Sequence, residues 1–156
     1  MHITFICSGN TCRSPIAEGV ARKLLEDNYP GSGVTVSSAG LATYNGLPAS
    51  QHSIDVCGEM GIDINAHRSR RFNPEIAENT DIFAVMTDEH RQILLRYGIP
   101  ESRIAVLGGV PDPYGGDRDE YRRCRNQIIA ETERLLNRVL SDRPKTAGEE
   151  DEKTGE

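Results

Sequence analysis

Short apolar runs alternate along this chain with longer stretches of helical periodicity. Residues 3–6 are mostly apolar and predict a buried strand. Residues 15–25 follow as a helix. Asn28-Tyr29-Pro30-Gly31-Ser32-Gly33 is a turn cluster. Residues 34–38 alternate β-branched and small side chains, which predicts a second strand ended by Ala39-Gly40. A loop runs through Asn45-Gly46-Leu47-Pro48. Residues 49–60 place Ile54, Val56, Cys57 and Met60 at mostly helical spacing, with Gly61 as the stop. Residues 62–71 are irregular and end basic, and residues 74–79 predict a short helix. Residues 81–86 predict a third, fully buried strand. Residues 88–97 predict a helix with Ile93, Leu94 and Tyr97 on one face and Gly98 after it. Residues 103–107 predict a fourth strand, and residues 108–116 form a loop rich in glycine and proline. Residues 117–140 predict a long helix, in which Ile128, Ile129, Leu135, Leu136, Val139 and Leu140 keep the helical period.

Strands that alternate with helices pair in parallel through right-handed crossovers. The expected fold class is α/β: a three-layer α/β/α, Rossmann-like arrangement on a four-stranded parallel sheet of order 2-1-3-4. That order places the first strand where neighbouring loops diverge and leave a crevice. One domain is expected over residues 1–140. Residues 141–156 carry Pro144, two glycines, many charges and no large apolar side chain. Such a segment cannot bury enough surface to offset chain entropy, so a disordered acidic tail is expected there.

Composition narrows the function classes. The chain has 156 residues and a net charge of −6, so bulk charge gives no case for nucleic-acid or anionic-membrane binding. No run approaches the roughly 18 apolar residues of a membrane span, and no signal peptide is evident at the N-terminus. The cysteines stand at 7, 12, 57 and 124, a spacing that matches no paired metal-ligand pattern. A chain of this length folds without disulfides, so a reducing, cytoplasmic setting is expected. A monomer is also expected.

The chemistry concentrates in Cys7-Ser8-Gly9-Asn10-Thr11-Cys12-Arg13-Ser14, between the first strand and the first helix. Strand, loop, helix is the geometry of an anion cradle, because the first backbone N–H groups of a helix have no intrahelical partner. Gly9 is expected to take the unusual backbone angle that turns several amides inward. Arg13 adds a permanently charged fork matched to two oxygens of a tetrahedral oxyanion. Cys7 ends the strand beneath that anion, in a field that favours thiolate over thiol. A nucleophile and a phosphate site thus lie within reach of each other.

The spacing Cys-(five residues)-Arg-Ser is the signature loop of cysteine-dependent phosphatases. With Asp112-Pro113-Tyr114-Gly115 far downstream, the string CSGNTCRSP resembles the low-molecular-weight protein tyrosine phosphatase family, from residue 1 to about residue 140. The resemblance implies a phosphorylated protein as substrate and no metal or cofactor. Cys7 would attack phosphorus and form a phosphocysteine. Arg13 and the amides of Ser8, Gly9, Asn10, Thr11, Cys12, Arg13 and Ser14 would hold the equatorial oxygens. Ser14 would donate to the thiolate or cap the helix, or do both. Asn10 reads as a brace whose amide bonds backbone on two sides. Asp112 is the candidate acid: alone, an Asp between prolines reads more often as a turn, and the family's Asp-Pro motif is what gives it the proton-transfer role. Tyr114, and less securely Tyr44, would flank the substrate.

Two substrates fit this frame. Family members acting on phosphotyrosine usually carry an apolar residue where this chain has Thr11. Thr11 and Asp112-Pro113-Tyr114-Gly115-Gly116 look more like the bacterial protein arginine phosphatase branch, with protein phosphotyrosine as the alternative. An arsenate reductase of this fold needs resolving cysteines after the third strand, and residues 87–103 contain none. A non-catalytic phosphate-binding module would not need Cys7, Arg13 and Asp112 together. Cys12, in the same loop as Cys7, is the expected redox partner of the nucleophile. His52, His67 and His90 read as surface or packing residues. The run His67-Arg68-Ser69-Arg70-Arg71 is either a docking patch for acidic protein or a solvated loop.

Overall fold

A computed structural model of the chain describes residues 1–141. The elements are β1 (His2–Cys7), α1 (Arg13–Asn28), β2 (Thr35–Gly40), α2 (Gln51–Gly58), α3 (Pro74–Glu78), β3 (Ile82–Val85), α4 (Asp88–Arg96), a 3-10 turn (Glu101–Arg103), β4 (Ile104–Val106) and α5 (Arg118–Ser141). The strands are all parallel and lie in the order β2-β1-β3-β4. This is the expected α/β fold in the expected strand order.

The central strand shows why its sequence is a mostly apolar run. Successive side chains of a strand face opposite sides of the sheet. Ile3, Phe5 and Cys7 enter a core with Ile16, Ala17 and Val20 of α1, Val56 of α2 and Ile128, Leu135 and Leu136 of α5. Ile6 enters a second core on the other face, with Phe83 and Val85 of β3, Ile76 of α3 and Leu94 of α4. Thr4 also faces the second side, where its hydroxyl meets Thr80 Oγ1 at 2.7 Å. A strand covered on both faces has no solvent side to be polar.

Polar ties join α2 to α5. Glu59, just after α2, receives Arg122 through Nε at 3.0 Å and Nη2 at 2.6 Å, and Arg125 through Nη1 at 2.8 Å. The Arg122 hydrogen bond leads, with Arg125, in holding the Glu59 carboxyl down to about 2. Arg125 is buried and also donates to the Val56 carbonyl at 2.8 Å, so its charge is partnered rather than stranded.

Several expectations shift. In α4 the buried positions are His90 and Leu94, four apart on one face, while Tyr97 lies past the helix end and is 62% exposed. α2 is shorter than expected and Met60 is exposed beyond it, in the turn that Gly61 closes at φ 72°. Glycine is the residue that takes this angle without strain. α1 begins two residues earlier than expected, directly at Arg13. Ser141, assigned to the tail, is the last residue of α5. Residues 142–156, for which disorder is expected, lie outside the described residues. Among the described residues no helix is long and apolar enough to cross a membrane.

Candidate active site

β1 delivers Cys7 to the carboxyl edge of the sheet, opposite Gly40 of β2. The strand after Gly40 keeps hold of the turn: Leu41 N–H donates to the Cys7 carbonyl at 3.1 Å and Ala42 N–H to the Ser8 carbonyl at 2.9 Å. A Cβ on Gly40 would lie 2.8 Å from the Ser8 carbonyl oxygen and 3.0 Å from Asn10 Cβ, so the loop and β2 approach closely because that position has no side chain.

The left-handed residue of the loop is Asn10, at φ 55°, and not Gly9 as expected. Asparagine tolerates this region, and here its side chain locks it in place. Asn10 Oδ1 accepts the Arg70 N–H at 2.8 Å, and Nδ2 donates to Ser14 Oγ at 2.8 Å and Ser38 Oγ at 3.0 Å. Its carbonyl lies 2.7 Å from His67 Nε2. The predicted brace is present, but one arm reaches two hydroxyls instead of backbone.

Ser14 is inside α1, and the N-cap is Cys12, whose side chain makes no cap hydrogen bond. The capping reading of Ser14 is therefore wrong. Ser14 Oγ accepts from Asn10 Nδ2 and stands 2.9 Å from Cys7 Sγ, so its own proton is free to go to the sulfur whenever that sulfur is a thiolate. Asn10 N–H also points at Cys7 Sγ, at 3.3 Å. The first amides of α1 remain uncapped by side chain, as an anion site requires.

Arg13 is a buried cation with its side chain 5% exposed. Nη1 donates to the Val110 carbonyl at 3.0 Å, Nη2 lies 3.6 Å from Asp112 Oδ2, and Nε is buried without a partner among the described residues. A buried donor left over on a guanidinium beside uncapped amides suits an oxyanion. Val110 in turn is anchored just past the end of β3 through its N–H to the Met86 carbonyl at 2.7 Å. This tie carries the loop after β4 back over the end of the central strands. Asp112 is half exposed, and its Oδ1 accepts the Tyr114 N–H at 3.1 Å. Tyr114 itself is 81% exposed beside it, and Tyr44 projects from the loop after β2 in a similar way.

The structure thus brings Cys7, Arg13, Ser14 and Asp112 together, with Thr11 half-buried in the same loop. Cys12 Sγ lies 3.4 Å from the Tyr121 hydroxyl, whose pKa burial and that hydrogen bond push upward. Cys57 and Cys124 are buried, and burial pushes both thiols up to about 12; Cys124 lies within the field of Arg13, Cys12, Asp112 and Cys7, whereas Cys57 feels that of Arg125. Among the described residues no cluster of histidine, cysteine and acidic side chains could hold a metal ion.

The sequence predicts only surface or packing roles for the histidines. His67 instead supports the Asn10 carbonyl, and His90 Nε2 lies 3.0 Å from Ser8 Oγ. Burial, then the Arg13 charge, push His90 down to about 4, against a smaller upward pull from Asp112. The usable signal was position: His90 opens the helix after β3, and β3 flanks β1 at the switch in strand order. The basic run is no simple solvated loop, since Ser69 is buried and Arg70 donates through Nε to the Ser38 carbonyl at 3.2 Å.

The family model described as "Low molecular weight phosphotyrosine protein phosphatase" matches residues 2–145. A protein-arginine-phosphatase of Bacillus subtilis is 34% identical over 92% of this chain and 99% of its own length. The low molecular weight protein-tyrosine-phosphatase PtpB of Staphylococcus haemolyticus is 37% identical over 83% of this chain and 93% of its own. Among solved structures, the YwlE arginine phosphatase, a cysteine-to-serine mutant with a phosphorylated active-site serine, superposes with a TM-score of 0.85. It is 32% identical and the match covers 92% of this chain and 98% of that one.

Proposed function

Because this chain belongs to the low molecular weight phosphotyrosine protein phosphatase family, we propose that it hydrolyses protein phosphoarginine through a phosphocysteine formed on Cys7. The observation that carries the reading is the convergence of Cys7, Ser14, Arg13 and Asp112, with one Arg13 donor left unpaired in the buried cradle. The Cys7 thiolate attacks phosphorus in line while Arg13 and the loop amides hold the equatorial oxygens. The bond to the leaving atom breaks, its electron pair stays with that atom, and Asp112 supplies the proton. Water then attacks the phosphocysteine, Asp112 takes the water proton, and sulfur leaves as thiolate with the Ser14 hydroxyl donating to it. The products are inorganic phosphate and the free side chain.

The lean to arginine rests on Thr11 and on the relatives named protein-arginine-phosphatase. Among the described residues the hydrogen-bond contact of the Thr11 hydroxyl is the long one to the Cys12 sulfur, at 3.9 Å, so it is largely unspent there. It makes the cleft wall polar where isoleucine would make it apolar. A planar cation such as guanidinium suits that wall and the Asp112 carboxylate. Phosphotyrosine is the second reading, favoured by relatives such as PtpB and by the exposed Tyr114 ring beside Asp112.

Parallel turnover of matched phosphoarginine and phosphotyrosine peptides tests the choice. Wild type prefers phosphoarginine, and a preference for phosphotyrosine sinks the arginine reading. Thr11→Ile moves the ratio of kcat/KM values towards phosphotyrosine by roughly 5- to 150-fold, the worth of one unpaired polar group in a specificity pocket. Both residues are β-branched, so the loop keeps its shape. A shift below about threefold removes Thr11 as the discriminator.

Oxidation is a further expected outcome of the same loop. Peroxide converts the Cys7 thiolate to a sulfenic acid, and the Cys12 thiol condenses with it to a disulfide, releasing water. Dithiothreitol then restores activity, and mass spectrometry finds a 7–12 linkage. Irreversible loss, or a pairing with Cys57 or Cys124, contradicts this assignment.

A further inference from the structure

The mechanism above leaves unused one buried imidazole that touches the phosphate loop. His90 is 4% exposed and lies in the first turn of α4, behind its N-cap Thr87. Its Nε2 is 3.0 Å from Ser8 Oγ and its Nδ1 is 3.1 Å from Thr87 Oγ1. With its pKa held near 4 by burial and by Arg13, the ring is neutral at pH 7 and has one donor nitrogen and one acceptor nitrogen.

The two hydroxyls decide which nitrogen is which. Thr87 Oγ1 already accepts the His90 backbone N–H at 3.4 Å. Its own proton finds an acceptor if Nδ1 is unprotonated. The opposite tautomer would aim two donors at Thr87 Oγ1 and leave the threonine proton to solvent, since Thr87 is only half-buried. The tautomer that pairs both hydroxyls within the protein carries its hydrogen on Nε2 and donates it to Ser8 Oγ. Ser8 then accepts from His90 and keeps its own proton for another oxygen. Ser8 follows Cys7 directly, and its carbonyl is held by Ala42 N–H at 2.9 Å, so the residue cannot drift from the cradle. Arg13 and Asp112 are the charges that act on His90. The Ser8–His90 pair thus lies in the field of both the oxyanion-holding cation and the candidate acid.

We propose that His90 is a positioning residue for the phosphoryl site: its Nε2–H holds the Ser8 hydroxyl so that the serine proton is given to a phosphoryl oxygen. This rests on the reading of the Cys7 loop as the phosphoryl site. It adds a side-chain donor, supported from α4, to the loop amides and Arg13. Ser8 touches the substrate and His90 acts through it.

Four variants test the pair: Ser8→Ala, His90→Phe, His90→Gln and the double variant Ser8→Ala/His90→Phe. Each is assayed on an aryl phosphate and titrated with vanadate, and the wild-type imidazole nitrogens are observed by long-range proton–nitrogen NMR. Ser8→Ala and His90→Phe each lower kcat/KM about 5- to 30-fold, as for loss of one hydrogen bond to an anionic oxygen. The double variant is no more than about twofold worse than the poorer single, since the two act as one unit. His90→Gln, whose amide still donates, stays within about threefold of wild type. The spectrum at pH 7 shows Nε2 protonated and Nδ1 bare, and Ser8→Ala shifts the Nε2 proton.

Multiplicative losses, a Ser8→Ala change below twofold, or a ring protonated at Nδ1 overturns the proposal. If His90→Phe does not fold, Ser8→Ala and the spectrum still decide it. Failure of the Cys7 mechanism shows up separately, as persistent turnover in Cys7→Ser with the tautomer unchanged.

Discussion

Cys7→Ser abolishes turnover, by about a thousandfold or more, while phosphate and vanadate binding persist. The substitution keeps the donor geometry of the loop. Cys7 is buried at the end of β1, and serine is slightly smaller, so the neighbouring core is not overpacked. Ser14 Oγ at 2.9 Å and the Asn10 N–H at 3.3 Å still find an oxygen to donate to. Arg13 retains its unpaired Nε, and the first turn of α1 retains its uncapped amides. What is lost is the ready nucleophile, because a serine hydroxyl holds its proton at neutral pH far more firmly than a thiol does. Single-turnover kinetics on an aryl phosphate, paired with vanadate titration, make the measurement. Residual turnover within about tenfold of wild type would remove Cys7 from the nucleophile's place. Loss of both turnover and anion binding would mean that the loop had collapsed.

Asp112→Asn lowers kcat about 100- to 1000-fold on substrates with poor leaving groups and about tenfold or less on activated aryl phosphates. Protonation of the departing atom matters in proportion to how badly it bears negative charge. The alternative is a structural role through the ion pair with Arg13, and magnitudes separate the two. The closest approach is 3.6 Å and the Asp112 side chain is half exposed, so the pair contributes at most about 1 kcal/mol. Arg13 also keeps its bond to the Val110 carbonyl when Asp112 is replaced. Thermal unfolding of the variant therefore shifts little, and asparagine still offers an oxygen to the Tyr114 N–H. An equal loss on good and poor leaving groups, together with a lower melting temperature, would make Asp112 a strut and not an acid.

Most of the architecture was legible in the sequence because it is written locally. A strand covered on both faces has to be a mostly apolar run, and residues 3–6 are one. The strand, the loop and the following helix are contiguous, so the spacing from Cys7 to Arg13 and Ser14 by itself pointed to a candidate nucleophile beside a candidate anion cradle. Strict alternation of strands and helices, joined to the family resemblance, led to the parallel order that the sheet shows. The details within that loop were not legible, because they are decided by groups far away along the chain. Asn10 takes the left-handed angle, and Gly9 does not, because Arg70 and Ser38 meet the asparagine amide from 60 and 28 residues away. Arg13 is aimed by a carbonyl 97 residues downstream. His90 reaches Ser8 across 82 residues, and nothing in its local sequence marks it. Pattern and propensity act over a few residues, whereas a hydrogen bond between elements exists only once the sheet has set them side by side. The sequence by itself determined which chemistry the loop can hold. Tertiary packing decided which backbone angle, which proton and which distant side chain make that loop rigid.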